Sequence, residues 1–315
     1  MSALENKRVL VTGANGFIGA WLCHRLVEQN TEVIALIHDD KGLLDLHGIK
    51  DKVTCVSGDV ESTEEMGKIF KEHKPELCYH LAAKSSTRDA AKDLHSTFKT
   101  NVLGTVNILG QVKDYGCAVV FVSTVKTYGG FTDKCFDEEQ KLGGTSAYAS
   151  SKIAAEAVCR MFAKNFDLSV SISRPGNVFG GYDDNYSRLI PGAIKNIFED
   201  NPPIIKGAGE SKIDLVYIED VVDGLILLGE KTISKRMNAD AYNFGSGESH
   251  SVKEAIEMVA KAVGKDMEPE FAGEENVCTE CLCIEKAEKD LGWKPKHSLK
   301  QGLEKTVADF EKALK

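Results

Sequence analysis

Glycines 13, 16 and 19 follow directly on a short apolar run, Val9-Leu10-Val11, and lead into a segment of helical periodicity. The run is β-branched and apolar on both faces, which predicts a strand buried inside a parallel sheet. Phe17, Ile18, Trp21, Leu22, Leu26 and Val27 recur at the spacing of one side of a helix. Strand, glycine turn and helix N-terminus in this order make a phosphate cradle. Gly13 permits the tight turn, Gly16 lets backbone approach a pyrophosphate, and Gly19 lets helix close on strand. With Asn15, Phe17 and Ile18 between them, these glycines are expected to hold a dinucleotide. The placement between strand and helix carries the weight; the glycine pattern alone is a weak signal.

Further apolar runs at residues 31–37, 53–60, 77–84, 118–124 and 168–174 alternate with helical spacings. That alternation predicts an α/β fold, a doubly wound parallel sheet of the Rossmann type with a smaller C-terminal substrate domain. Residues 1–176 are assigned to the dinucleotide-binding domain, joined again by about 212–232, and 177–315 mainly to the substrate domain. The stretch 213–220, with the apolar run that follows, is expected to return to the main sheet. Ligands in such sheets sit at the carboxyl ends of strands. His38 and Asp39 end the second strand, and the acidic Asp39 and Asp40 lean the choice towards NAD. NADP stays open, since His38 and Lys41 could meet a 2′-phosphate. Leu81, Ala82, Ala83 and Lys84 end the fourth strand, the alanines small enough for the chain to pass beside a pyrophosphate.

The net charge of −9 and the lack of a basic run exclude a nucleic-acid surface. No apolar run approaches the ~20 residues that span a bilayer. Residues 1–8 lack the apolar core of a signal peptide, so a cytoplasmic location is expected. Nine scattered cysteines read as reduced thiols. Cys278, Cys281 and Cys283 form a cluster with no second pair at zinc spacing, so no metal site is expected.

Ser123 and Thr124 end the fifth strand, and Tyr148 and Lys152, four apart, share one face of the helix that follows. A free tyrosine has a pKa of about 10 and is almost never phenolate at neutral pH. An ammonium one helical turn away favours the phenolate, so Tyr148 can act as a base with Lys152 beside it and Thr124 holding the substrate oxygen.

From Val9 to Pro295 the chain resembles the extended short-chain dehydrogenase/reductase superfamily, and within it the nucleotide-sugar epimerases and dehydratases. The residues that carry the likeness are Gly13, Gly16, Gly19, Thr124, Tyr148 and Lys152, with Asn101-Val-Leu-Gly104-Thr105. The resemblance implies that Asp59 and Val60 cup the adenine, that Asn101 braces the sheet near the site, and that Lys84, Thr124, Lys126, Asn177, Arg188 and Lys206 meet the substrate. It also implies a homodimer through helices at about 93–113 and 148–165, where Ala154, Ala155, Val158, Met161 and Phe162 offer a contact surface. The stretch from Arg174 to Pro191 is most similar to CDP-glucose 4,6-dehydratases.

Departures from that pattern narrow the chemistry. Sugar dehydratases follow the Thr with an acidic residue; here Val125 stands there, and Lys126 occupies the place of a decarboxylase Glu. Ile213-Asp214-Leu215 lacks a common diphosphate arginine. The expected activity is therefore epimerisation of a nucleotide sugar through a transient 4-keto sugar. A 4,6-dehydratase-like enzyme with an altered acid, and a non-catalytic dinucleotide sensor, are the alternatives.

Overall fold

The computed structural model describes residues 2–38, 42–45, 47–130, 134–273 and 277–313. In chain order the first elements are β1 (Arg8–Thr12), α1 (Phe17–Glu28), β2 (Glu32–Ile37), β3 (Thr54–Ser57), α2 (Thr63–His73), β4 (Leu77–His80), α3 (Thr87–Lys92) and α4 (Leu94–Phe98). A π-helical turn (Lys99–Leu103) then joins α4 to α5 (Gly104–Tyr115). After these come β5 (Ala118–Val122), a 3₁₀ turn (Val125–Thr127), α6 (Ala147–Phe166), β6 (Val170–Pro175), β7 (Asn177–Phe179), α7 (Leu189–Phe198), β8 (Ile204–Lys206), β9 (Lys212–Ile213) and β10 (Leu215–Tyr217). The rest are α8 (Ile218–Ser234), β11 (Asn238–Phe244), β12 (His250–Ser251), α9 (Val252–Val263), β13 (Glu270–Ala272), α10 (Glu285–Leu291) and α11 (Leu299–Ala313).

The chain forms two compact units: Met1–Gly129, Lys141–Arg174 and Val222–Tyr242 in the first, Gly130–Gln140, Pro175–Val221 and Asn243–Lys315 in the second. The first is built on a seven-stranded sheet of order β11-β6-β5-β4-β1-β2-β3. Strand pairing is parallel from β3 through β6. The order reverses beside β1, between β2 and β4, which is where a doubly wound sheet opens a crevice at its carboxyl edge. β5 is buried along its whole length and β4 likewise, as strands covered on both faces must be. Leu10, Phe70, Ile108, Val119, Phe121 and Ala155 join sheet and helices in one core. Cys78, Cys117 and Cys159 belong to it, and burial pushes their thiols well above the usual range.

Serine side chains start the helices that flank the site: Ser62 accepts from the Glu65 amide, Ser86 from Asp89 and Ser146 from Ala149. The helix expected at about 93–113 is interrupted, because the π turn inserts one extra residue per turn between α4 and α5. Gly104 follows it for a packing reason: a β-carbon there would lie 2.9 Å from Val60 Cγ2.

Residues 213–220 do not return to the main sheet as expected, although the apolar run that follows, from Val222, does belong to the first unit. The seventh strand is β11, and β10 instead pairs in parallel with β7 in the second unit, Leu215 opposite Asn177. A three-residue apolar run fits either partner; Asp214 decides. Its buried carboxylate accepts from Ser246 N (2.6 Å), Ser246 Oγ (2.9 Å) and Leu282 N (3.0 Å), tying that strand to its own unit.

The expectation of reduced thiols fails at one pair. Cys135 and Cys281 are disulfide-bonded across 146 residues of sequence. Phe136 N donates to Cys281 O (2.7 Å) and Cys283 N to Phe136 O (2.8 Å), so a backbone bridge brings the two segments into register. The other seven cysteines, Cys278 and Cys283 among them, are free.

Candidate active site

Gly13 stands at φ +68°, and a β-carbon on it would lie 2.9 Å from Ala82 N. Gly19 is closer still: its β-carbon would lie 2.1 Å from the Gly13 carbonyl oxygen. The protein itself therefore requires glycine at both positions. Gly16 is different. It is the extended N-cap of α1 and offers no side-chain cap, and a β-carbon there would meet nothing closer than Gly13 O at 3.4 Å. No acidic residue lies in the first turn of α1. A helix N-terminus with neither cap nor carboxylate, at the edge of a parallel sheet, is an anion cradle with room for a pyrophosphate.

Around that cradle Asn15 holds the next loop: its Oδ1 accepts from Leu44 N at 3.3 Å and its carbonyl from Leu43 N at 3.2 Å. Phe17 is buried at the helix start, with Ile18 half-buried beside it. His38 is exposed directly after β2, and Asp39 lies outside the described residues. Asp59 is half-buried and accepts from Glu61 N at 2.9 Å. Val60, expected to cup a base, has its side chain in the sheet–helix core. Leu81, Ala82 and Ala83 are half-buried, and Lys84 is exposed with its ammonium on Ser96 Oγ.

A buried relay missed by the sequence reading runs beneath these residues. Thr105 Oγ1 donates to Asn101 O (2.7 Å), so it must accept from His80 Nε2 (3.1 Å). His80 Nδ1 then accepts from Thr12 Oγ1 (2.8 Å), which in turn accepts from the amides of Leu81 (3.1 Å) and Ala82 (3.0 Å). Burial, with the nearby Lys152 charge, lowers the His80 pKa to about 3, so the ring is neutral. Asn101 extends the relay: its Oδ1 accepts from Lys84 N (2.8 Å), and its Nδ2 donates to Lys84 O (3.2 Å) and Ser151 Oγ (2.9 Å). Ser151 Oγ donates to Tyr148 O at 2.7 Å. The end of β1 is thus hydrogen-bonded through β4 and the π turn to α6.

Thr124 is buried at the end of β5, where its Oγ1 accepts from Lys126 N at 3.3 Å. Tyr148 is half-buried in the first turn of α6. Lys152, one turn on, is only 2% exposed, and among the described residues its Nζ has no hydrogen-bond or ion-pair partner; it rests 4.1 Å over the Phe121 ring. Burial is the main cause that lowers its pKa to about 8, with Cys159 and then Glu156 acting the other way. A buried ammonium without an acceptor is an incomplete site, and ribose hydroxyls would supply the acceptors. Glu156, fully buried a further turn on, holds Arg174 in an ion pair that no local spacing signalled.

The residues expected at the substrate divide. Val125 is 1% exposed, packed inside the 3₁₀ turn, and Lys126 beside it is half-buried. In the second unit, Asn177 Nδ2 donates to Asp214 O (3.1 Å) and Glu280 Oε2 (2.9 Å), and among the described residues its carbonyl oxygen remains for a ligand. Arg188 Nη1 is held by both oxygens of the buried Asp183, at 3.0 and 2.9 Å. Lys206 stands exposed on β8. Burial pushes the Asp214 pKa up to about 6, against the hydrogen bonds it accepts. Among the described residues no group of three or more His, Cys, Asp or Glu could hold a metal ion, and no helix is long and apolar enough to cross a membrane.

Residues 9–245 match the model of the NAD dependent epimerase/dehydratase family. The chain belongs to that family. It is 31% identical to a UDP-glucose 4-epimerase of Mycolicibacterium smegmatis, over 96% of this chain and 98% of the relative. It is 28% identical to a CDP-glucose 4,6-dehydratase of Salmonella typhimurium, over 96% and 90%. The crystal structure of UDP-glucose 4-epimerase from Thermotoga maritima with UDP-glucose superposes with a TM-score of 0.91 at 28% identity, covering 98% of this chain and 100% of that one. Family membership makes the chain an NAD-dependent enzyme. The open N-terminus of α1 and the unpartnered Lys152 ammonium fit that cofactor at its pyrophosphate and at a ribose.

Proposed function

We propose that this enzyme is a nucleotide-sugar epimerase working through a transient 4-keto sugar, with Tyr148 as the base. The observation that carries the reading is Val125, the neighbour of Thr124, buried to 1% and unable to donate a proton. Loss of water from a keto sugar needs an acid near the departing hydroxyl; inversion needs none. The Thr124 hydroxyl holds the reacting sugar oxygen, and the Tyr148 phenolate takes its proton. The Lys152 ammonium, one turn away, lowers the energy of that phenolate. Bound NAD supplies the reversible two-electron oxidation of the sugar carbon. The trigonal keto carbon carries no configuration, so reduction from its other face with proton return from Tyr148 gives the epimer.

The smaller unit is read as the substrate domain, with Asn177, Arg188 and Lys206 as its candidates for the nucleotide sugar. Arg188 is held in place by Asp183 at one nitrogen, and its remaining N–H groups and the Lys206 ammonium are the donors a diphosphate needs; the Asn177 carbonyl oxygen, an acceptor, suits a hydroxyl of the substrate.

The second reading is a dehydratase with a rearranged acid, favoured by the likeness of residues 174–191 to CDP-glucose 4,6-dehydratases and by the Salmonella relative. Turnover of a nucleotide-sugar panel in D₂O separates the two. An epimerase gives a product isomeric with its substrate and free of deuterium at C5. Deuterium at C5, with a 4-keto product, would replace this reading by the second. A non-catalytic dinucleotide sensor has no use for a buried ammonium beside a tyrosine, and turnover of any member of the panel removes it.

A further inference from the structure

Two residues bracket the turn that carries Thr124, and both are fastened to one buried ion pair. Ser123 Oγ, immediately before Thr124, donates to Glu156 Oε1 at 2.6 Å. Tyr128, immediately after the 3₁₀ turn, accepts on its hydroxyl oxygen from Arg174 Nη1 at 2.8 Å, and the guanidinium lies 4.9 Å over its ring. Glu156 and Arg174 are joined twice, Nε to Oε1 at 3.0 Å and Nη2 to Oε2 at 2.7 Å. Both are essentially fully buried. Arg160 adds a third cationic hydrogen bond to Oε2, at 2.9 Å. On α6, Glu156 follows Lys152 by one turn and Tyr148 by two, on the same face.

We propose that Glu156 is a positioning residue for the reaction: through Ser123 and Arg174–Tyr128 it fixes the Thr124 turn of β5 against the Tyr148–Lys152 face of α6, and its carboxylate supplies the fixed negative charge that Lys152 sees. The role rests on the assignment of Thr124, Tyr148 and Lys152 given above. A bidentate pair that is also hydrogen-bonded to two separate elements has one geometry available to it, which distinguishes it from a mobile surface bridge. Glu156 stays ionised: burial alone would raise its pKa, but the Arg174 hydrogen bonds and charge, with Ser123 and Arg160, bring it below the usual carboxylate value.

The other titratable groups about Lys152 are few. His80, at the end of β4, is held neutral by burial, and Cys159, on the same helix, is held as a thiol. Tyr148 stands one turn before Lys152, and Phe121 of β5 meets its ammonium with a ring face. Arg174 of β6 and Arg160 bind Glu156 itself. Glu156 is thus the fixed anion on the ammonium, and neutralising it should make Lys152 lose its proton at lower pH.

The test uses four variants of the full chain with NAD bound. Ser123→Ala and Tyr128→Phe each cut one outer hydrogen bond and leave the ion pair intact. Each is expected to lower kcat about tenfold through misplacement of the Thr124 turn, with KM changed by less than about twofold. Glu156→Gln is expected to lower kcat about a hundredfold. In the wild type the Lys152 side-chain NMR signal, identified by its loss in Lys152→Met, should titrate below the usual lysine range. In Glu156→Gln it should titrate lower, a change that a merely structural role would not produce. A folded Glu156→Gln protein whose Lys152 titrates as in the wild type overturns the proposal. Wild-type kcat in both Ser123→Ala and Tyr128→Phe also overturns it, whether or not the glutamine variant folds. The titration needs no sugar substrate, so its failure is distinguishable from failure of the epimerase reading.

Discussion

The Gly19 α-carbon is so close to Gly13 that a β-carbon on Gly19 would sit 2.1 Å from the Gly13 carbonyl oxygen, whereas one on Gly16 would sit 3.4 Å from the same atom. The two glycines therefore serve different masters. Gly19→Ala should lower stability by about 1–3 kcal/mol, the usual penalty for overpacking, and with it the Tm. Gly16→Ala should change stability by no more than about 1 kcal/mol yet weaken NAD binding about tenfold, near 1.4 kcal/mol. Melting curves and NAD calorimetry on both variants check the contrast; equal losses of Tm would refute it.

Tyr148→Phe removes only the proton-transfer group. Turnover should fall about 10²–10⁴-fold while NAD affinity stays near that of the wild type. Lys152→Met should lower both, because the same ammonium serves the phenolate and a ribose. Should the methionine variant lose rate but bind NAD normally, the ribose contact is wrong.

His80 gives the stability a pH dependence. Folding lowers its pKa from 6.5 to about 3, so between those values the unfolded chain binds a proton that the folded chain refuses. Stability supplied by the neutral ring is complete above 6.5 and is lost as pH falls through that window. The slope from one such proton reaches about 1.4 kcal/mol per pH unit. His80→Gln keeps a donor and an acceptor but does not titrate, so its unfolding free energy should fall less steeply with acid. Urea melts at several pH values measure the two slopes.

The Cys135–Cys281 bond can be counted. Alkylation of the unfolded, unreduced protein should label seven cysteines, and nine after reduction. Labelling of all nine before reduction would remove the disulfide. A crosslink closing so long a loop is worth about 3–5 kcal/mol of stability, so Cys135→Ser should melt earlier.

A homodimer is the expected assembly. Leu94, Phe98 and Leu103, on α4 and the π turn, and Met161 and Phe166, on α6, are 39–56% exposed, a concentration of large apolar groups on one set of helices. Two residues expected at this contact are not available for it: Ala155 and Phe162 are buried in their own core. Met161 is exposed and Ala154 half-buried, while Val158, also half-buried, packs against that core. Sedimentation at micromolar concentration should give a dimer, and Leu103→Lys with Met161→Lys should give a monomer.

What the sequence determined by itself is local. The strand, glycine turn and helix from Arg8 to Glu28, the four-residue step from Tyr148 to Lys152 and the serine caps all depend on contacts within a few residues, where spacing dictates geometry. The tertiary structure alone decided what joins distant segments. It chose β11 over residues 213–220 as the seventh strand, because an apolar run of three residues does not encode its partner while the buried Asp214 does. It set the His80 tautomer through Thr12 and Thr105, 68 and 25 residues away, and bound Glu156 to Arg174 and Ser123. It also paired Cys135 with Cys281 and turned Arg188 towards Asp183. Hydrogen bonds, ion pairs and crosslinks of this kind depend on distance in space, and periodicity carries information only about distance along the chain.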